Sequence, residues 1–263
     1  MDTLQAIILG IIQGLTEFLP VSSSGHLQLM NAILGTQLDP ESNVTFDLTL
    51  HLATVLSTIV VFWPHIVNLC KDLFKKPYNP SQQYIVKIII SMIPVGIVGF
   101  CFMDLIEKAF SSILVVGIML LLTALLLLFA HYAKERQRES ISYRDSFLIG
   151  IAQAFATMPG LSRSGTTIAT GLMLGNRKDV MTEFSFLMVL PPIIGNSLLD
   201  MIKGDFGGDV EMIPLICGFL AAFISGYFAC RFMIGIVRKG KLSWFAAYCA
   251  IVGVIAIIVN YLN

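Results

Sequence analysis

Gly10-Ile-Ile-Gln-Gly-Leu-Thr-Glu-Phe-Leu-Pro-Val-Ser-Ser-Ser-Gly25 occurs twice in this chain: 140 residues further on it returns as Gly150-Ile-Ala-Gln-Ala-Phe-Ala-Thr-Met-Pro-Gly-Leu-Ser-Arg-Ser-Gly165. Six of the sixteen aligned positions are identical without a gap. Each copy sets polar, serine-rich residues between two apolar stretches too short to cross a bilayer, the pattern by which membrane proteins build a site at mid-depth. The function is expected where the two copies meet.

The rest of the chain agrees with a membrane setting. Of its 263 residues 56% are hydrophobic and 13% charged, and runs such as Ile113 to Tyr132 are apolar throughout, which excludes an ordinary soluble domain. A formal net charge of zero argues against nucleic acid as a partner. Met1-Asp2 is no basic n-region, so the first apolar stretch is expected to belong to the fold rather than to a cleaved signal. Five cysteines (Cys70, Cys101, Cys217, Cys230, Cys249) show no C-x-x-C spacing and read as buried small hydrophobes.

Six segments are long enough to span, roughly 45 to 66, 85 to 104, 112 to 132, 182 to 202, 212 to 235 and 243 to 262. Residues 3 to 34 and 146 to 175 each break into two short apolar pieces around a polar centre and read as re-entrant helix, loop, helix segments. The expected fold is an all-α polytopic membrane protein, one integral domain over 1–263, with inverted-repeat halves of about 1–132 and 145–263 joined by a loop at 133–144. Lys71, Lys75, Lys76 and Lys87, then Lys134, Arg136, Arg138 and Arg144, then Arg177 and Lys178, then Arg238, Lys239 and Lys241 all fall on one side of such a topology. The other side carries only Lys108 and Lys203, so the basic loops are placed in the cytoplasm and both termini outside. The first re-entrant segment then enters from outside and the second from inside, and their polar tips approach near the bilayer centre. Gly10-x-x-x-Gly14 and Gly171-x-x-x-Gly175 permit close backbone approach, and Pro94, Pro191, Pro192 and Pro214 are expected to interrupt spans.

The chemistry is concentrated at the tips. Ser22, Ser23, Ser24 and Gly25 precede a helix expected to resume at Leu27, and serines there cap an N-terminus whose free N–H groups and dipole suit an anion. Pro159-Gly-Leu-Ser162-Arg163-Ser164-Gly165-Thr166-Thr167 is built the same way and adds a guanidinium. Two such N-termini facing one volume suit a diphosphate. An Arg or an acid at mid-membrane costs about 2.5–3.5 kcal/mol on insertion scales, so Arg163 and Glu17 require partners. They could simply pair with each other. The functional reading has Arg163 gripping phosphoryl oxygens as a fork. Glu17 and Gln13, four residues apart on one helix face, then hold a hard divalent cation, Mg2+ or Ca2+. His26 is suited to act as acid, base or nucleophile at neutral pH. Asp47 and His51, at i and i+4 near the outer end of a span, are read as structural, with a supporting or entrance role at the site as the alternative; His65 and His131 are read as interfacial, and Glu183 as a capping or dipole residue.

Gln13-x-x-x-Glu17, the Ser-Ser-Ser-Gly-His26 segment and Pro159-Gly-Leu-Ser-Arg-Ser-Gly-Thr-Thr167 resemble the signature motifs of the undecaprenyl-diphosphate phosphatase family, also called the bacitracin-resistance protein family. The resemblance runs essentially end to end. It implies a bacterial inner-membrane enzyme that removes the terminal phosphate from a C55 isoprenyl diphosphate, regenerates the carrier lipid for peptidoglycan synthesis, opposes bacitracin and requires a divalent cation. The family's first motif takes Glu or Gln at its first position, here Gln13, which makes Glu17 the better candidate for metal or base. Carried over residue by residue, the family's functional residues fall on Glu17, Ser23, His26, Ser162, Arg163, Ser164 and Thr167, with Ser22, Ser24, Gly25, Gly160 and Gly165 completing the expected phosphate cradle.

Two routes stay open on this reading: either Ser23 attacks with His26 or Glu17 as its base, or a water activated by the cation does. A reading from another class is a transporter or flippase of a phosphorylated polyprenyl lipid, since half-helices meeting at the midplane are transporter architecture. A transporter needs only the anion site, whereas an enzyme needs the nucleophile and acid–base groups as well.

Overall fold

In the computed structural model, which describes residues 1–36, 40–110, 112–133, 138–203, 211–239 and 241–262, the described residues form thirteen α-helices and no strand. Part of the 133–144 loop, with Lys134 and Arg136, and most of the connection after Lys203 lie outside the described residues. In chain order the helices are α1 (Thr3–Phe18), α2 (Ser23–Leu34), α3 (Pro40–Val61), α4 (Trp63–Asp72), α5 (Pro80–Cys101), α6 (Met103–Phe110) and α7 (Ile113–Tyr132). The second half holds α8 (Tyr143–Phe155), α9 (Arg163–Met173), α10 (Lys178–Leu187), α11 (Leu190–Lys203), α12 (Met212–Arg238) and α13 (Leu242–Leu262).

Among the described residues six stretches are long and apolar enough to cross a membrane: Ser42–Val61, Pro80–Cys101, Ile113–Tyr132, Lys178–Leu199, Met212–Val237 and Leu242–Tyr261. They match the six expected spans to within a few residues, with corrections at Pro64 and Pro214. The first span stops at Val61 instead of running to 66, because Pro64 starts a new helix at Trp63, where its missing N–H costs nothing. The interruption expected at Pro191 is present in the span over 182–202: α10 ends at Leu187, the residue whose carbonyl Pro191 would strike and leave without a donor. Pro214 interrupts nothing, since it sits in the first turn of α12, whereas Pro94 lies inside α5.

Exposure shows which solvent these helices are built for. On α5, Ile89, Ile93, Ile97 and Phe100 are exposed, while Ser91 and Pro94 on the opposite face are buried. Phe228 and Phe232 of α12 and Ile251, Ile255 and Ile258 of α13 are exposed likewise. Apolar faces of this extent are unsuited to water and fit lipid. The protein is a multi-pass membrane protein.

The first helix of each repeat copy packs on a long helix of the other half, α1 on α12 and α8 on α5, while α7 and α13 pack on each other. Glycine makes the first two crossings possible at aligned positions of the repeat. A methyl on Gly10 would meet the Gly218 backbone at 3.1 Å, and one on Gly150 would meet Ser91 Cα at 2.8 Å. Gly14 continues the first crossing, 2.6 Å from Gly226 N if given a methyl. The second small-residue motif works differently: Gly171 faces the Met181 side chain, and Gly175, at φ 91°, forms the turn after α9.

Three of the four basic connections, those between α4 and α5, α7 and α8, and α9 and α10, gather at one end. Arg177 N donates to the Arg138 carbonyl, Tyr78 and Tyr143 share a hydroxyl hydrogen bond of 2.9 Å, and the Lys87 ammonium lies 5.4 Å from the Tyr143 ring centre. Arg138 also pairs with the buried Asp145 at 3.2 Å. Beside this end Asp72 accepts from Lys75 and Ser81, which hold its carboxyl below its ordinary range. No cysteine is bridged: Cys230 and Cys249 are buried, but Cys70 and Cys101 are exposed, so the expectation of burial fails for these two.

Candidate active site

Tip one begins where α1 stops at Phe18, ahead of Pro20. Helix α2 resumes at Ser23, four residues earlier than expected, because Ser22 is its N-cap: Ser22 Oγ accepts from Gly25 N at 3.3 Å. Ser23 and Ser24 therefore stand in the first turn. Ser22 is the one described non-glycine residue at positive φ, 70°, a conformation that costs on the order of 1–3 kcal/mol. Its surroundings hold it there, since its carbonyl accepts both His26 N (3.2 Å) and His26 Nδ1 (2.8 Å).

Tip two repeats the device. Ser162 caps α9, accepting from Gly165 N at 3.1 Å, and Ser162 lies 3.4 Å from Ser164 as Ser22 lies 3.4 Å from Ser24. Gly160, at φ 89°, turns the chain against Val116 of α7. Thr123 of α7 pins this tip through the Gly160 carbonyl (3.2 Å) and Ser162 N (3.0 Å).

The tips touch. A methyl on Gly25 would lie 3.2 Å from Gly160 Cα, one on Gly165 would lie 3.1 Å from Pro20 Cβ, and Ser164 Oγ donates to the Leu19 carbonyl at 3.3 Å. At their junction Glu17, buried, accepts from Arg163 Nη2 on one oxygen, and from Ser23 Oγ (2.6 Å) and Gln13 Nε2 (3.2 Å) on the other. The expected pairing of Arg163 with Glu17 is present. It uses only half of the guanidinium, because Arg163 Nη1 is buried without a partner in the protein. Gln13 Oε1 and Thr166 Oγ1 are likewise buried and unpartnered, as is Gln153 Oε1 at the position aligned with Gln13. A buried donor or acceptor left unpaired costs roughly 1–3 kcal/mol, so these atoms are open to a further partner.

Thr167 is close by but occupied, donating to the Arg163 carbonyl (2.9 Å) and meeting Ser185 Oγ at 2.6 Å; it fixes the helix that carries Arg163. A narrow cleft adjoins the Glu17–Arg163 pair, with Thr54 and Thr58 on its polar side and Val55, Phe186, Val189 and Ile193 on its apolar side.

Two residues of this neighbourhood, Tyr248 and Thr123, escaped sequence reasoning, and for a third, His51, the structural reading was preferred to the supporting one. His51 of α3 has Nε2 4.0 Å from Glu17 Oε2 while Nδ1 holds the Asp47 carbonyl at 2.8 Å. Its spacing from Asp47 was the available signal. Tyr248 of α13 meets His26 Nε2 at 2.8 Å, and Thr123 anchors tip two; neither carries a motif. Glu183 caps nothing. It stands beyond the first turn of α10 and pairs with His65 at 3.2 Å, away from the tips.

For a divalent cation the described residues offer no cluster of three His, Cys, Asp or Glu. The unpartnered Gln13 Oε1 beside the Glu17 carboxylate does fit a hard ion of the kind held by one or two carboxylates and otherwise by substrate phosphates.

A bundle of membrane-length helices in which two serine-capped helix ends, an arginine and a carboxylate converge defines an integral membrane protein with a buried site suited to a phosphorylated ligand. Comparison with known proteins carries this to a family. Residues 6–255 match the family described as Bacitracin resistance protein BacA, and the chain belongs to that family. It is 55% identical over 268 residues, the whole of both chains, to a protein named Undecaprenyl-diphosphatase from Bacteroides fragilis. Its identity to the protein of the same name from Parabacteroides distasonis is 56%, covering 98% of each chain, and to that from Methanosphaera stadtmanae 38%, covering 99% of each.

Proposed function

We infer that the chain is an undecaprenyl-diphosphatase, converting undecaprenyl diphosphate and water into undecaprenyl phosphate and inorganic phosphate. The observation that carries the mechanism is one buried carboxylate holding the Ser23 hydroxyl on one oxygen and the Arg163 guanidinium on the other. A base, a nucleophile and a phosphate-gripping group thus stand at one point between two capped helix ends.

The terminal phosphoryl lies against Arg163 Nη1 and the N–H groups of the α2 and α9 first turns, which neutralise charge spread over its oxygens. Ser23 Oγ attacks phosphorus as Glu17 takes its proton, the bond from phosphorus to the bridging oxygen breaks, and undecaprenyl phosphate leaves. Water then releases phosphate from the serine. Gln13 and Glu17 would hold a divalent cation, which when bound would supply charge neutralisation on the diphosphate. The prenyl tail leaves along the apolar wall of the cleft formed by Val55, Phe186, Val189 and Ile193. A transporter would have no use for a hydroxyl held on a carboxylate, and the transport reading is set aside on that ground.

The same proposal includes an inverted repeat, supported by the equivalent roles of Gly10 and Gly150, Ser22 and Ser162, and Gly25 and Gly165, and by the exchange of partners between halves. With basic connections at one end, the positive-inside rule puts that end in the cytoplasm of a bacterial inner membrane and both termini outside. Regenerating the carrier lipid serves peptidoglycan synthesis and counters bacitracin.

The test is a rapid acid quench of enzyme mixed with lipid labelled in its terminal phosphate. The account expects label on Ser23; a Ser23→Ala variant with nearly full turnover would remove the serine from the reaction.

A further inference from the structure

We propose that Tyr248 is the positioning residue of His26, holding its ring in the Nδ1–H tautomer with Nε2 as its working nitrogen. The inference rests on the reading of His26 as an acid–base group. His26 Nδ1 lies 2.8 Å from the Ser22 carbonyl, which can only accept, so Nδ1 carries the proton. In the neutral ring Nε2 is then the bare nitrogen, and the Tyr248 hydroxyl, 2.8 Å away, donates to it. The two rings are nearly parallel, 12° apart, with centres separated by 5.6 Å.

This contact is built into the packing of α13. The next residue, Cys249, is buried and its Sγ donates to the Pro20 carbonyl of the same tip at 3.6 Å, so two successive side chains of α13 fix tip one. The helix is held in register one turn further along, where Gly253 and Gly117 of α7 bring the backbones together; a methyl on Gly253 would meet the Gly117 carbonyl oxygen at 2.9 Å. His26 stands one turn after Ser23 on α2, at i and i+3, so ring and nucleophile share a helix face. Nδ1 is committed to the cap that forms α2. Any proton His26 exchanges therefore passes at Nε2, and Tyr248 is the group bonded there. His26 itself is buried, whereas Tyr248 is partly exposed.

Steady-state kinetics on Tyr248→Phe, His26→Ala and the double variant test this. Removing one hydroxyl should lower kcat about tenfold, the worth of one hydrogen bond, with KM held within about twofold. The double variant should be no slower than His26→Ala alone, because the tyrosine acts through the histidine. An additive loss, or an unchanged kcat in Tyr248→Phe beside an inactive His26→Ala, overturns the proposal. Full activity in His26→Ala instead sinks the reading of His26 on which it rests. A second readout needs no folded variant of Tyr248. In wild-type protein labelled with nitrogen-15 at its four histidines, His26 should show a protonated Nδ1 and a hydrogen-bonded bare Nε2. A ring protonated at Nε2 alone would contradict the assignment.

Discussion

Replacing Glu17 with glutamine separates binding from chemistry at this site. The substitution keeps the shape of a side chain that accepts from Gln13, Ser23 and Arg163 but removes its charge. Turnover should fall about 10²- to 10⁴-fold, the usual worth of a general base. Affinity should move the other way. Arg163 Nη1 is already free, and Nη2 must be shared between Glu17 and any incoming phosphate. A hydrogen bond between charged groups is worth about 1.5–3 kcal/mol, so release from the carboxylate should tighten diphosphate binding by about tenfold or more. The unliganded variant should be less stable, because an arginine side chain only 19% exposed loses its counter-charge; breaking such a pair costs on the order of 3–5 kcal/mol, and bound diphosphate should restore much of it. The assay is equilibrium binding of a polyprenyl diphosphate to detergent-purified protein in chelator, so that Arg163 is the cation scored, together with thermal unfolding with and without lipid. Weaker binding in Glu17→Gln, matching that of Arg163→Ala, or wild-type turnover, would refute the reasoning.

Arg163→Lys keeps the charge but loses the planar fork that spans Glu17 and the phosphate, and phosphate release should fall by orders of magnitude. Gly14→Val should destabilise the protein by several kcal/mol in thermal unfolding, since even a methyl would come within 2.5 Å of the Ala222 carbonyl oxygen at the α1–α12 crossing. Ser22→Ala removes the α2 cap and should cost about 1 kcal/mol, read as a lower melting temperature. At the basic end, the Asp72 carboxyl is depressed first by Lys75 and then by Ser81, so its small contribution is present above the ordinary carboxylate range and lost as pH falls through its folded value. NMR titration of Lys75→Ala should find that value raised.

The spans and the tips were legible because their signals are local. Hydropathy marks the six long helices, and the duplicated Ser-x-Ser-Gly elements mark the two helix starts that meet. The break ahead of Pro191 was legible in the prolines themselves, whereas the early start of α2 depends on backbone detail, the strained Ser22 cap, that composition does not register. Thr123 and Tyr248 were hidden for a different reason. Each lies on a long helix outside the repeat and reaches the tips across the fold; Tyr248 and His26 are 222 residues apart in sequence. A threonine or tyrosine inside an apolar run looks like any other residue of a span until packing shows what it faces. The pairing of Glu17 with Arg163 was foreseeable from the cost of burying either alone, but the free half of the guanidinium was not.

The most direct measurement is phosphate released by the purified protein from a long-chain polyprenyl diphosphate, with magnesium, with chelator, and in Arg163→Ala. The account predicts release that requires the cation and disappears in the variant; tight binding of the lipid with no release under any condition would contradict it.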